Sequence, residues 1–529
     1  MSYASIAFAY FVLALLILYY VLPQRFRYLA LLLASYVFYV MACGKYVIYI
    51  LVTTAATYAG GIGIQGYADS LKRFLADNPG LSRDEKKTVR ERSKGKRRRI
   101  MICTLLLNFG VLAVLKYADF TVANVNLLRL HLFGNTDFFR IPSFVLPLGI
   151  SFYTFQSMGY IIDLYFGKYE AQKDPLKLAL YVSFFPQIIQ GPISRYNELS
   201  GTLFEGHAFA YENICRGFYR ILWGLFKKLI VADRLAPFVE RTADRYASVN
   251  GTYLLLMIFF YSMEIYGDFS GGIDISIGVA RLFGIDVTEN FERPFFSKSV
   301  AEYWRRWHIT LGTWFKDYIF YPITVSKNVL NLSKKVREKG HEELGKRIPI
   351  YLAMFIVWFT TGLWHGAQWR YVIWGLLNFV ILVFSTEAEP LYARINTFLK
   401  WDGSILQKCF RVLRTFWIMS FLRVFDVSSQ GVSQALVIIK KVVLDPGAVT
   451  LAGIEELGLD PQELYAALAG ILIMFIFSMI QRKGSITDRI LAMPALPRWA
   501  VTALTVMAVV IFGSYGMGYD ARAFIYLQF

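Results

Sequence analysis

Long apolar runs without a charge recur along almost the whole chain, and they constrain its fold more than any other feature. The first covers residues 5–22, SIAFAYFVLALLILYYVL, and comparable runs continue to residue 512. A helix needs about 20 apolar residues to cross a bilayer. The chain is 56% apolar, against roughly 45–50% in soluble domains. These runs predict an all-α polytopic membrane protein, with residues 1–529 as one integral-membrane domain of roughly eleven spans.

Basic residues gather between the apolar runs. The chain has 56 Lys and Arg against 38 Asp and Glu, a net charge of +18, and in a soluble protein this excess would suggest nucleic-acid binding. Here it lies in loops, as is typical of the cytoplasmic side of a membrane. The predicted partner is therefore the lipid bilayer, and we do not predict a nucleic-acid partner. The most basic loop, 68–99, is predicted to be cytoplasmic, and counting runs from it places the N-terminus and the tail 513–529 outside.

The cysteines do not form a recognisable pattern. Cys43, Cys103, Cys215 and Cys409 are far apart in sequence, each in or beside apolar residues, and the chain has no C-x-x-C pair. A disulfide framework or a structural metal site requires closer or paired spacing. We therefore predict neither a disulfide framework nor a metal site.

One stretch, 290–322, is too charged to cross a bilayer and too aromatic for an ordinary loop. It reads NFERPFFSKSVAEYWRRWHITLGTWFKDYIFYP, with His308 in its middle. Irregular backbone at membrane depth survives only inside protein or beside a water-filled cavity, and an ionisable side chain there is a candidate functional group. His308 is therefore predicted to line a cavity. A second histidine, His365, lies in TTGLWHGAQW near the outer end of a later run.

A proline- and glycine-rich segment precedes this stretch. Within 184–199, FFPQIIQGPISRYNEL, the residues Pro186, Gly191 and Pro192 break any helix. We interpret it as a re-entrant segment that borders the same cavity, with a tight loop between two helices as the alternative.

Charged residues also occur in the following apolar sequence. Residues 212–234 are predicted to form an amphipathic helix that carries Lys227 and Lys228. The acids of 251–283 are Glu264, Asp268 and Asp274. Their spacing fits either a cavity wall or a helix kink.

Four motifs together resemble the membrane-bound O-acyltransferase (MBOAT) family, in its bacterial branch that O-acetylates alginate and related exopolysaccharides. They are LPLGISFYTFQ, FFPQIIQGPISRY, FERPFFSKSVAEYWRRWHITLGTWFKDYIFYPI and LWHGAQW. The resemblance implies a ring of helices with re-entrant segments around a central tunnel. In that tunnel a cytoplasmic acyl donor, acetyl-CoA or an acyl carrier, meets its acceptor, and no cofactor is bound permanently.

The resemblance also implies roles for both histidines. His365 matches the general base and His308 the second motif position, so the resemblance implies a catalytic core over residues 290–370. An imidazole, with a pKa near 6.5, can remove the proton of an attacking hydroxyl, although a transmembrane histidine also often serves as an interhelical hydrogen-bond partner.

Aromatic and basic side chains beside His308 are candidate donor contacts. Trp304 and Trp307 can line the tunnel and exclude water, or pack as an interfacial belt. Arg305 and Arg306 can attract the phosphates of coenzyme A, or anchor the chain at the inner leaflet.

The C-terminal tail ends in F-x-Y-x-x-F, formed by Phe524, Tyr526 and Phe529. This ending resembles the acyl-accepting motif of the partner peptide in teichoic-acid D-alanylation systems. Tyr526 is therefore predicted to carry the acyl group as a tyrosyl ester and to pass it to an external serine esterase-like (SGNH-type) partner. The alternative is an interfacial aromatic anchor.

Three functions remain open from the sequence. The first is O-acetylation of an extracytoplasmic polysaccharide at a bacterial inner membrane. The second is D-alanyl transfer to teichoic acid from a carrier protein. The third is a transporter or flippase without covalent chemistry, although transporters tend to show matching halves and none are found here.

Overall fold

A computed structural model of the protein describes residues 3–134 and 138–515, and these residues are mainly helical. The helices up to residue 244 are α1 (Ile6–Val21), α2 (Arg27–Cys43), α3 (Val47–Asp77), α4 (Arg83–Phe133), α5 (Ile150–Tyr165), α6 (Pro175–Ser183), α7 (Phe185–Ile188), α8 (Tyr196–Leu203), α9 (Tyr211–Leu225) and α10 (Asp233–Asp244).

The later helices are α11 (Gly251–Leu282), α12 (Val300–Arg306), α13 (Ile309–Phe315), α14 (Tyr321–Thr324), α15 (Lys327–Glu338), α16 (Glu342–His365), α17 (Trp369–Glu387), α18 (Glu389–Leu399), α19 (Ile405–Leu422), α20 (Val424–Val427), α21 (Val432–Leu444), α22 (Leu451–Glu456), α23 (Pro461–Gln481), α24 (Ile486–Leu491) and α25 (Ala495–Phe512). Short 3₁₀ segments cover Gln24–Phe26, Gly44–Tyr46 and Pro294–Phe296, and π-helical segments cover Phe226–Ala232 and Lys316–Phe320.

Six helical stretches of the described chain are long and apolar enough to cross a membrane. They are Gln24–Asp77, Arg83–Phe133, Glu342–His365, Trp369–Glu387, Pro461–Gln481 and Ala495–Phe512. The protein is therefore a multi-pass membrane protein, as predicted. The predicted ring of roughly eleven spans is not confirmed, because several apolar runs form helices that are short or carry acids. The apolar sequence that contains the motif LPLGISFYTFQ, for example, gives only the 16 residues of α5.

The described residues pack as two compact units. Those within Met1–Ile214 and Val279–Thr288 form the first, and those within Cys215–Gly278 and Glu289–Phe529 form the second. The predicted catalytic core, 290–370, belongs entirely to the second unit.

In the first unit, α3 and α4 pack against each other as a helical hairpin. Residues 78–82 form its turn, and Ser82 caps α4: its hydroxyl accepts from the Glu85 backbone N–H, while the Glu85 carboxylate accepts from the Ser82 N–H. The prediction of a basic loop over 68–99 is therefore wrong in its secondary structure. Lys, Arg and Glu are good helix formers, so the basic residues continue the helix.

The segment with Pro186, Gly191 and Pro192 is also in the first unit. The four-residue α7 is followed by residues 189–194 in irregular, buried backbone, and the next helix, α8, begins at Tyr196. The predicted helix break is confirmed. A re-entrant role for this segment stays a prediction.

In the second unit, α9 runs directly into the π-helical segment Phe226–Ala232. Lys227 and Lys228 were predicted on an amphipathic helix, yet both are buried. Lys227 Nζ lies 2.5 Å from Asp274 Oδ2, and Lys228 Nζ lies 2.6 Å from Asp268 Oδ1. The wider π turn thus presents two consecutive lysines to the acids of α11, and a buried charge requires such a partner.

Candidate active site

His308 lies at a sharp turn between two short helices. α12 ends at Arg306, α13 begins at Ile309, and His308 between them has φ 49° and ψ 55°. This left-handed conformation costs a residue with a side chain about 1–3 kcal/mol and persists only where the surroundings impose it. The predicted aromatic stretch therefore carries its histidine on a constrained backbone.

Asn290 holds this turn from the other end of the stretch. Its backbone oxygen accepts from Ile309 N at 3.0 Å. Its side-chain oxygen accepts from Thr310 N at 3.0 Å and from Thr310 Oγ1 at 2.9 Å, and it lies 3.2 Å from His308 Nδ1. Asn290 is fully buried. Its role could not be predicted from the sequence, because no local pattern links it to a histidine eighteen positions later.

His365 is the last residue of α16, where the chain turns into α17. The two helices pack closely along two glycines: a Cβ on Gly375 would lie 2.4 Å from the Trp358 carbonyl oxygen, and one on Gly362 would lie 2.5 Å from the Tyr371 carbonyl oxygen. Only glycine permits this approach. The α16–α17 hairpin thus provides a rigid support for His365.

Replacing Gly375 by alanine is therefore expected to destabilise the protein by about 1–3 kcal/mol, because the added methyl group overlaps backbone that cannot move independently. The apparent melting temperature of the purified protein measures the change. Gly110→Ala is the matched control, since a Cβ on this α4 glycine meets nothing within 4 Å. Equal melting temperatures for both variants would contradict the close packing.

Both histidines line one cavity of about 380 Å³. Its other lining residues are Ala301, Trp304, Arg305, Trp307, Ile309, Leu311, Gly312, Thr313, Phe315, Lys316, Val357, Trp358 and Thr361. Three of the four predicted donor contacts, Trp304, Arg305 and Trp307, are among them. The fourth, Arg306, is not, and its guanidinium lies 2.7 Å from Glu302 Oε1 in an ion pair. The cavity predicted for His308 is therefore present.

Aromatic rings surround the two imidazoles. The His308 ring lies 4.9 Å from Phe269 and 5.8 Å from Trp364, measured between ring centroids. The His365 ring lies 4.5 Å from Trp374 and 5.1 Å from the same Trp364. Trp364 thus lies beside both imidazoles.

The two imidazoles differ in their exposure. His308 is only 3% exposed and lies outside the six candidate spans. Burial lowers its pKa to about 3, because the charged form loses its hydration. His308 is therefore neutral at physiological pH. His365 is half-buried and better placed to exchange a proton with a bound substrate.

A second, larger cavity of about 770 Å³ shares Ile309 with the histidine cavity. Arg220 and Asp274 line it and form an ion pair, with Arg220 Nε 2.6 Å from Asp274 Oδ1. Of the three α11 acids considered in the sequence, Asp274 is therefore on a cavity wall. Glu264 and Asp268 do not line either of these two cavities.

Arg423 supports the histidine turn from the end of α19. The side chain is 4% exposed. Its guanidinium carbon lies 4.1 Å from the centre of the Trp307 ring, and its Nη2 donates to the Tyr303 hydroxyl at 2.6 Å. Asp426 Oδ2 lies 3.9 Å from Nη1. This role could not be predicted from the sequence, since a contact over 120 positions leaves no local signal.

The MBOAT family model, described as membrane-bound O-acyltransferase family, matches residues 171–336 and 341–425. The chain is 31% identical to the "probable alginate O-acetylase AlgI" of Azotobacter vinelandii over 425 residues, which cover 80% of this chain and 73% of that protein. It is 30% identical to the peptidoglycan O-acetyltransferase of Helicobacter pylori, over 57% of this chain and 58% of that protein. It is 30% identical to the teichoic acid D-alanyltransferase of Bacillus subtilis, over 44% and 58%.

The matched residues include both histidines, Asn290, Trp364 and Arg423, and thus the side chains that build the cavity and its supports. The sequence resemblance is therefore confirmed by the match and by the relative in A. vinelandii. This chain belongs to the membrane-bound O-acyltransferase family and is an O-acyltransferase.

Proposed function

We propose that this protein moves an acetyl group from acetyl-CoA on the cytoplasmic side to a polysaccharide outside a bacterial inner membrane. The observation that carries the proposal is the cavity of about 380 Å³ that His308 and His365 line together in a chain of this family. In the proposed arrangement both termini are external, and the cavity belongs to a tunnel within a ring of about eleven spans.

His365 is the proposed general base. Its imidazole removes the proton of the attacking hydroxyl as the oxygen bonds to the thioester carbonyl carbon. The carbon–sulfur bond then breaks, and the imidazolium returns the proton to the leaving sulfur. One ester and one thiol result, so the imidazole ends neutral and no net proton is released.

The walls of the cavity support this step. Trp304 and Trp307 line it together with apolar side chains and reduce the access of water, which would otherwise hydrolyse the thioester. Arg305 also lines it and can pair with a coenzyme A phosphate. Arg306 is already paired with Glu302, so Arg305 is the better candidate for this contact.

We propose Tyr526 as the first acceptor of the acetyl group. Tyr526 lies outside the described residues, which end three residues after α25. The thirteen residues that follow Gly513, up to and including Tyr526, can extend to about 40 Å, whereas half the hydrocarbon core is only about 15 Å thick. A phenol is a better leaving group than an alkyl alcohol (pKa about 10), so transfer from the tyrosyl ester to an external SGNH-type serine esterase-like partner, and on to a sugar hydroxyl, is downhill.

Of the two acyl groups considered, acetyl is favoured over D-alanyl. The relative named for alginate O-acetylation matches 80% of this chain, against 44% for the D-alanyltransferase. The transporter alternative is not retained, because the chain belongs to an acyltransferase family.

The Tyr526→Phe variant tests the carrier. We expect its polysaccharide acetylation in cells to fall to the level of cells without the protein, because the phenylalanine ring has no hydroxyl to acylate. Tyr515→Phe is the matched control, since Tyr515 is exposed and lies in the same external segment. If the Tyr526→Phe variant gave normal polysaccharide acetylation, Tyr526 would not be the acyl carrier. The F-x-Y-x-x-F ending would then serve only as an interfacial anchor.

A further inference from the structure

We infer that Asn290 is a positioning residue that holds His308 in the Nδ1–H tautomer, with the lone pair on Nε2. Asn290 and His308 thus act as a neutral pair, in which the amide oxygen orients the imidazole. The inference concerns the cavity of the proposed function and rests on that function for its catalytic consequence. The tautomer itself rests only on the contacts around Asn290.

Thr310 fixes the direction of the Asn290 side-chain amide. The backbone N–H of Thr310 can only donate a hydrogen bond, and it lies 3.0 Å from Oδ1. If the amide were turned over, its NH₂ group would face this N–H donor. The Asn290 oxygen, and not its NH₂ group, therefore faces Thr310. The Thr310 hydroxyl donates to the same oxygen, at 2.9 Å.

The Asn290 oxygen also determines which nitrogen of the His308 imidazole carries the proton. His308 Nδ1 lies 3.2 Å from the same Asn290 oxygen. The amide carbonyl oxygen carries no hydrogen and can only accept, so Nδ1 must carry the hydrogen for this contact to be favourable. In a neutral imidazole only one nitrogen is protonated. Nε2 is therefore the nitrogen with the lone pair.

The contacts of Asn290 also orient the His308 imidazole. Asn290 contacts the turn twice, through its backbone oxygen at Ile309 N and through its side-chain oxygen at His308 and Thr310. His308 itself has a left-handed backbone, which fixes the direction of its Cβ. Together with the neighbouring Phe269 ring, these contacts restrict the rotation of the imidazole. Residues of this kind commonly set the tautomer and orientation of functional histidines.

A chemical consequence follows for the acyl transfer. With the lone pair on Nε2, His308 accepts a hydrogen bond within the cavity and does not donate one to a developing oxyanion. Its partner in the reaction is then the attacking hydroxyl or the protonated His365. The two histidines therefore have different roles, with His308 orienting a donor group and His365 moving the proton.

Two substitutions separate positioning from packing. Asn290→Leu has a similar size but offers no acceptor, and we expect it to lower kcat by about 10–100-fold, as is usual for lost orienting partners, with a smaller change in KM. Asn290→Asp keeps an acceptor for all three donors and is expected to lose less than about tenfold. An equal loss of kcat in the two folded variants would overturn the inference.

The pH profile adds a readout that packing alone does not change. A carboxylate at 290 stabilises the imidazolium of His308, so His308 loses its lone pair at a higher pH. The acid limb of the Asn290→Asp profile should therefore move to higher pH than in the wild type. The other ionisable groups on the cavity, Arg305, Lys316 and His365, are the same in both proteins. An unshifted acid limb would contradict the pairing.

The tautomer can be observed without any activity. The chain has five histidines, and ¹⁵N magnetic resonance of histidine-labelled protein, with His308→Gln used to assign the signal, distinguishes protonated from unprotonated ring nitrogens. We expect a protonated Nδ1 and an unprotonated Nε2 in the wild type, and a mixture in Asn290→Leu. A protonated Nε2 in the wild type would overturn the inference. Absence of acetyl transfer by the wild type would instead overturn the proposed function.

Discussion

Replacing His365 by alanine is expected to lower acetyl transfer by about 10²–10⁴-fold, the usual contribution of a general base. The attacking hydroxyl then has no imidazole to take its proton. The protein should still fold, because His365 is half-buried at the end of α16 and the α16–α17 contact depends on glycines farther along the helices. The measurement is polysaccharide acetylation in cells with equal amounts of each variant in the membrane.

The control for this variant is His341→Ala. His341 is exposed at the N-terminal end of the same helix, and its side chain makes no capping hydrogen bond. It should retain wild-type acetylation. If His365→Ala were as active as His341→Ala, the general base would have to be another residue.

The second large effect is expected at Arg423. Arg423→Met removes the cation stacked on Trp307 and the donor to Tyr303, and it leaves the buried Asp426 without the guanidinium of its ion pair. Loss of one partner of a buried pair costs about 3–5 kcal/mol. We therefore expect a large decrease in apparent melting temperature and in the amount of folded protein.

Arg411→Met is the matched control, because Arg411 lies on the same helix and is exposed. The double variant Arg423→Met, Asp426→Asn should recover part of the lost stability, since the unpaired carboxylate is then removed. A melting temperature for Arg423→Met equal to that of Arg411→Met would show that this cluster does not support the histidine turn.

Some of the long helices could be predicted from the sequence. The last apolar run, which continues to residue 512, forms α25 (Ala495–Phe512), and the run with His365 near its outer end forms α16 (Glu342–His365). Such helices can be predicted because about 20 consecutive apolar residues are a local signal. His308 was identified for a related reason, since ionisable residues among aromatic ones are rare in apolar sequence. The role of His365 was predicted from the resemblance to the MBOAT family.

The sequence could not predict the features that depend on tertiary contacts. The π-helical turn that buries Lys227 and Lys228 forms against acids about forty positions away. In the sequence, nothing local distinguishes Asn290 from other asparagines or Arg423 from other arginines. Their roles arise only when packing brings them to His308 and Trp307.

The proposed mechanism requires the His365 imidazole to act as the general base when the acetyl group passes to Tyr526 in the histidine cavity. The most direct test is to incubate purified wild-type and His365→Ala protein with labelled acetyl-CoA and to locate the label by mass spectrometry of the intact chains and their peptides. One acetyl group on the C-terminal peptide of the wild type, and none on the variant, is the expected result. Equal labelling of that peptide in both proteins would contradict this role of His365.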